Sequence, residues 1–357
     1  MAAGGVFAAT NTAYKPFELA HHLKTAAVRW VLVAPEVVQP VLAAAEECKL
    51  EKSNILIFNT YGQDVPPGYA TWDDLFQHGE EDWVRFNDAK LAENTLAALL
   101  FSSGTTGLPK AVMLSHKNFI SQHTLVFEYR PRPFKARRLY MLPLFHAATA
   151  PSAFCTPLRS GEQGYVASKF DLELWFQCME KYKITDGAMV PPLVIMAIMS
   201  PLREKYNLKS VRIAHCGAAP LDPHPQSRYQ ALLAKDCNFS QVWGATETSC
   251  IASIFLYGEG DTSGSVGRFL PNLDVKLVDE SGKDITDYGV RGELCVRGPT
   301  VTKGYYRNDE TNKKDFRDGY WHTGDIAYCD EKTKKWYIVD RKKVNPHTHI
   351  PPYHHLL

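Results

Sequence analysis

The stretch LLFSSGTTGLPKAVMLSHKNF at residues 99–119 sets two apolar runs on either side of a loop of hydroxyls, glycines and one cation. The runs TLAALLF (95–101) and AVML (111–114), each bounded by turn residues, predict two buried strands. Ser115 stands where a helix N-cap belongs, so a helix is expected from His116. Between the strands, Ser102, Ser103, Thr105 and Thr106 offer hydroxyls, Gly104 and Gly107 let the backbone approach a ligand, and Lys110 adds a positive charge. That set suits a polyanion held by backbone and side-chain donors. It is not a Walker A loop, because Pro109 stands where that spacing needs glycine, and it is not G-x-G-x-x-G either. Composition alone leaves a phosphate cradle and a flexible connector both open.

The rest of the chain narrows the setting. Its 357 residues suffice for one large or two smaller globular units. With 40 Lys and Arg against 39 Asp and Glu, no global field favours nucleic acid or an anionic membrane, and any anion site must be built locally. The eight cysteines are scattered without a C-x-x-C pair, as expected for reduced thiols of an intracellular protein, cytoplasmic or peroxisomal, although the final HLL does not match S-K-L. The start lacks the basic opening of a secretory signal, and the apolar run at 187–199 is broken by Pro191 and Pro192, short of a membrane span.

Organisation follows from periodicity. Residues 16–59 alternate helix (16–27), strand (28–33), helix (35–48) and strand (54–59), and the rhythm returns over 171–244. That order predicts an α/β fold with parallel strands and ligands at their carboxyl ends. Residues 61–94 read as surface connection, and from about Asp261 short alternating strands joined by Gly, Asp and Asn turns predict a β-rich subdomain. The tail 344–357, with His347, His349, His354 and His355, reads as a disordered end.

Eight segments in fixed order carry a resemblance: SSGTTGLPKAVMLSH (102–116), PLFH (143–146), CGAAPL (216–221), WGATET (243–248), GELCVRGP (292–299), GYYRND (304–309), WHTGD (321–325) and VDRKK (339–343). Together they resemble the motifs of the AMP-forming adenylating enzymes, and are most similar to acyl-CoA synthetases of the 4-coumarate:CoA ligase-like kind, over nearly the whole chain up to Lys343. The resemblance implies the large N-terminal domain of the adenylate-forming fold over 1–343: stacked α/β sheets plus a β-rich subdomain at about 261–343. It further implies a fold incomplete at its start and lacking the C-terminal lid domain, hence impaired activity. A non-catalytic nucleotide-binding protein of the same descent is the alternative.

The same resemblance assigns roles. ATP, Mg²⁺ and coenzyme A are the implied cofactors, and a small apolar aliphatic or aryl carboxylic acid the substrate. Ser102, Ser103, Gly104, Thr105, Thr106, Gly107 and Lys110 would hold the β- and γ-phosphates. Glu247 would ligate Mg²⁺ with Thr106 as helper, and Thr246 would touch the α-phosphate. Gly217, Ala218 and Ala219 would wall the adenine, and Gln241, Val242 and Trp243 would complete its slot, with Trp243 where relatives commonly have Tyr. Asp325 would accept both ribose hydroxyls. Arg341 and Lys343, from the VDRKK motif, and Lys169 would add cationic contacts to nucleotide or coenzyme A. His146 would orient the carboxylate at the mouth of an acyl pocket shaped by residues 147–150.

Overall fold

The computed structural model describes residue 1 and residues 3–102, 108–129 and 132–342. The two apolar runs form an antiparallel hairpin, Leu96–Ser102 against Lys110–Ser115, with Ser102 opposite Lys110 at the open end. Ser115 caps the helix His116–His123: its hydroxyl accepts from the Asn118 N–H at 3.2 Å, and the Asn118 side chain accepts from the Ser115 N–H at 2.9 Å. Phe7–Ala8 joins the hairpin as a parallel edge.

The βα rhythm becomes two parallel sheets. Val31–Val33, Ile55–Ile57 and Ala70–Thr71 make the smaller one, with Leu19 and Ala20 of the helix Pro16–Thr25 packed on Ala44 of the helix Val38–Glu47. Residues 61–94 are therefore more than connection. They supply the strand Ala70–Thr71 and the helix Ala89–Asn94, capped by Asp88 accepting from the Leu91 N–H at 2.8 Å. A two-residue strand is too short to show alternation.

The larger sheet is all parallel, in the order Asn238–Gln241, Ile213–Cys216, Asp186–Met189, Arg137–Tyr140, Gln163–Val166. Phe176, Met179, Val194, Tyr229 and Phe239 fill its core, as befits a sheet covered by helices. One ionic cluster is buried in it. The Asp186 side chain, 5% exposed, pairs with Arg132 and, at 2.9 Å, with Arg138, which also reaches Glu162 at 2.9 Å. Burial alone would raise the Asp186 carboxyl, but the two guanidinia hold it below the usual carboxylate range.

From Asp274 onward the β-rich region is one antiparallel sheet ordered Asp284–Ile285, Asp274–Val278, Gly292–Arg297, Tyr320–Cys329, Phe316–Arg317, with Trp336–Arg341 also paired to Tyr320–Cys329. Between the regions in sequence lies a short antiparallel sheet of Trp243–Ala245, Cys250–Ile254 and Arg268–Phe269. Among the described residues no helix is long and apolar enough to cross a membrane.

Candidate active site

The hairpin of WGATET turns so tightly that only glycine fits at Gly244, where a Cβ would lie 1.7 Å from the Cys250 carbonyl oxygen. Thr248 Oγ accepts from the Ala245 N–H at 2.9 Å, and Ser249 closes the turn in the left-handed region at φ +63°. This geometry buries Thr246 and Glu247, each 6% exposed.

The Glu247 carboxylate accepts a hydrogen bond from the Tyr305 hydroxyl at 2.9 Å, and no Lys, Arg or His among the described residues forms an ion pair with it. The same hydroxyl lies 3.3 Å from Asp315 Oδ2. A phenol has one proton and cannot serve two carboxylates fully. Lys110 makes up the difference: its ammonium is 3.4 Å from Asp315 Oδ2 and 4.1 Å from the Tyr305 ring centroid. Burial first, then Glu247 and Asp315, push the Tyr305 phenol far above its usual range, so it stays a donor.

Backbone pairing fixes this cluster. Residues 302–306 run along the strand Lys110–Ser115, with Met113 N–H donating to Gly304 O at 3.0 Å and Tyr306 N–H to Ala111 O at 2.8 Å. Thr302 donates its N–H to Glu247 O at 2.8 Å and its hydroxyl to Met113 O. Ser102, across from Lys110, has a buried hydroxyl with no partner among the described residues. Ser103, Gly104, Thr105, Thr106, Gly107 and Lys343 lie outside the described residues.

A second group forms at the other end of the hairpin. Trp243 Nε1–H donates to Asp325 Oδ2 at 2.9 Å, and Arg341, the register partner of Asp325, lies 3.2 Å from Oδ1. Burial raises the Asp325 carboxyl above its usual range, more than Arg341 and Trp243 lower it. Val242 donates its N–H to Cys216 O at 2.9 Å, which sets its side chain against Gly217, and Ala218 follows at φ +72°. One hairpin thus carries groups linked to Lys110 and to Asp325.

Other expected residues sit differently. The buried Gln241 amide accepts from the Leu221 N–H at 2.9 Å and donates to Leu221 O at 2.9 Å, so it braces the loop holding Ala219. Ala147 and Ala150 are 1% and 0% exposed, packed with Leu100, Val112 and Phe119, and Thr149 is also buried; only Ala148 of the four is exposed and free to line a pocket. His146 Nδ1 accepts from the Ala148 N–H at 3.1 Å and burial lowers its pKa, leaving a neutral ring that presents Nε2–H. Lys169 is exposed beyond the strand Gln163–Val166, with no partner among the described residues. Tyr305 and Asp315 carry no signal of this contact in the sequence: GYYRND reads as a motif, but no spacing rule links its tyrosine to a glutamate 58 residues earlier.

The residues fit a hard divalent cation. Such ions take one or two carboxylates together with substrate phosphate oxygens. Among the described residues no group of three His, Cys, Asp or Glu could hold a metal unaided, while Glu247 offers a buried carboxylate without a cation.

The AMP-binding enzyme family model matches residues 1–306. A protein of Alternaria alternata named acyl-CoA synthetase ACTT5 is 48% identical over 346 residues, 96% of this chain and 60% of its own length. Phenylacetyl-CoA ligase epaB of Aspergillus niger is 45% identical over 348 residues, 96% of this chain and 65% of its own. ATP-bound MatB from Rhodopseudomonas palustris superposes with a TM-score of 0.79 at 28% identity, over 95% of this chain and 64% of that one. The chain spans less than two thirds of the length of each of these relatives. With one family model matching most of the sequence and the motifs meeting at one hairpin, the chain belongs to the AMP-binding enzyme family.

Proposed function

We propose that this chain binds ATP with magnesium and activates an apolar aliphatic or aryl carboxylic acid as its acyl adenylate, for transfer to coenzyme A. The observation that carries the reading is Glu247, a buried carboxylate positioned by Tyr305 and lacking a positive partner among the described residues. A desolvated charge without compensation costs several kcal/mol on the scale of buried ion pairs, and a ligand cation is what offsets it. The printed names of the two fungal relatives, an acyl-CoA synthetase and a phenylacetyl-CoA ligase, support the substrate class.

In this reading an oxygen of the acid attacks the α-phosphorus of ATP, the bond to the bridging oxygen breaks, and pyrophosphate leaves. The coenzyme A thiol then attacks the acyl carbonyl and AMP departs. Lys110 and the hydroxyls of residues 102–106 bind the β- and γ-phosphates, exchanging Asp315 for the ligand. Thr246 contacts the α-phosphate, and the His146 Nε2–H orients the incoming carboxylate. Gly217 to Ala219, Val242 and the Trp243 face enclose the adenine, Asp325 accepts from the ribose, and Arg341, Lys343 and Lys169 supply cations at the edge. Magnesium, held by Glu247 with Thr106, would neutralise phosphate charge.

Calorimetry with ATP and Mg²⁺, followed by ATP–pyrophosphate exchange with a panel of aliphatic and aryl acids, tests this. Saturable ATP binding and exchange that depends on an apolar acid are expected. Binding without exchange for any acid would support the nucleotide-binding alternative, and absence of both overturns the proposal.

A further inference from the structure

The Trp243 to Asp325 hydrogen bond invites a count of lone pairs. An ionised carboxylate offers roughly four acceptor sites, two per oxygen. Trp243 Nε1–H takes one on Oδ2 at 2.9 Å, and the Arg341 guanidinium lies 3.2 Å from Oδ1 as an ion pair without a hydrogen bond. At least one site is left on each oxygen, which matches a pair of vicinal hydroxyls and overmatches a sugar with one. The indole is not free to do otherwise. It is 8% exposed, its single donor is spent on Asp325, and its ring is wedged edge-on against Phe269 at 5.7 Å and beside Trp321 at 6.3 Å. Asp325 is fixed from behind as well, its N–H donating to Thr323 Oγ at 2.9 Å.

We infer that Trp243 is a positioning residue for sugar recognition: its indole N–H orients the Asp325 carboxylate so that the site selects a ribonucleotide over a deoxyribonucleotide. The inference rests on the reading of the site as an ATP site. A tyrosine or phenylalanine would keep an aromatic face toward a base, but a phenylalanine has no donor with which to hold Asp325. The selectivity therefore belongs to the edge of the ring, whereas base stacking belongs to its face.

The test is equilibrium binding of ATP, 2′-deoxyATP and 3′-deoxyATP to the unaltered protein and to Trp243→Phe, by calorimetry with Mg²⁺. The expected result is that ATP binding weakens about three- to tenfold in the variant, the scale of one ordinary net hydrogen bond because Trp243 acts through Asp325, while the deoxynucleotides weaken less, so the preference for ribose shrinks. Equal weakening of all three ligands, or none, overturns the inference while leaving the ATP site standing. Failure of the unaltered protein to bind any of them overturns the ATP reading and this inference together. Should Trp243→Phe not fold, Asp325→Asn replaces it. There the ribose preference should vanish and one indole N–H resonance should move upfield; an unmoved set of indole resonances overturns the inference.

Discussion

Two regions bury carboxylates, and they treat them in opposite ways. In the large parallel sheet Asp186 is met by two guanidinia, and Glu162 takes up the remaining charge of Arg138. Around the hairpin Glu247 is equally buried yet, among the described residues, its carboxylate receives only a phenol proton, and the nearby Lys110 is already shared with Asp315. The first set of charges closes on itself. The second, among the described residues, is short of positive charge, which the proposed magnesium would supply. Saturation marks structure here, and deficit supports the proposed cation site.

The strongest way to break this comparison is to neutralise one carboxylate in each region. Asp186→Asn takes the carboxylate from Arg132 and leaves Arg138 with Glu162 alone, and it is expected to cost about 3–5 kcal/mol of unfolding free energy in urea melts. Glu247→Gln removes an uncompensated charge, so stability should hold or rise while Mg²⁺-dependent ATP binding is lost. Equal destabilisation by the two would show that Glu247 is structural.

Lys110→Ala sharpens the picture by about 1.5–3 kcal/mol, the range for a charged hydrogen bond, and the loss should appear for ATP but not AMP in paired titrations. Smaller still is Tyr305→Phe. It leaves the ring under Lys110 and deletes the hydroxyl, with about 1 kcal/mol of ATP affinity expected to go only when Mg²⁺ is present. A loss independent of Mg²⁺ would count against the bond to Glu247 as a metal-positioning contact.

The mildest effect is one of pH. Because burial raises the Asp325 carboxyl, the folded apo protein holds that proton more firmly than the unfolded chain does. Its contribution to stability therefore declines as pH rises from the usual aspartate range through the raised value. ATP affinity moves the other way, since only the carboxylate accepts both sugar hydroxyls, and it should drop on acidification at a pH above that of an ordinary aspartate. Calorimetric titrations across mildly acidic pH read the binding limb, and thermal melts of Asp325→Asn against the parent read the stability limb.

Much of this was legible in the sequence, because strong local signals decide local structure. The runs around residues 95–115, the Ser115 cap and the strand–helix alternation after residue 170 all read correctly from period and end residues. The parallel α/β order followed from that alternation and the β-rich region from the short strands after residue 261, while the stacking of the sheets was implied by the resemblance to the adenylating enzymes. What escaped was long-range or too short to have a period. Ala70–Thr71 pairs only through Ile55–Ile57, Gln241 spends its amide on a loop twenty positions back, and Ala147 and Ala150 turn toward a core that their small side chains do not announce. At the site, Trp243 was read by its face, yet the indole edge is what meets Asp325, a contact no spacing specifies.

The strip of residues 302–306 laid along Lys110–Ser115 bears on how the molecule is made. Its Thr302 hydroxyl reaches Met113 across 189 positions of chain. A pairing so distant closes an entropically expensive loop and belongs among the last contacts to form. On the ribosome Lys110 and the strand it opens must wait for the strip that completes their surroundings, so the proposed nucleotide capture would report that synthesis has reached the later half and that the two halves have met.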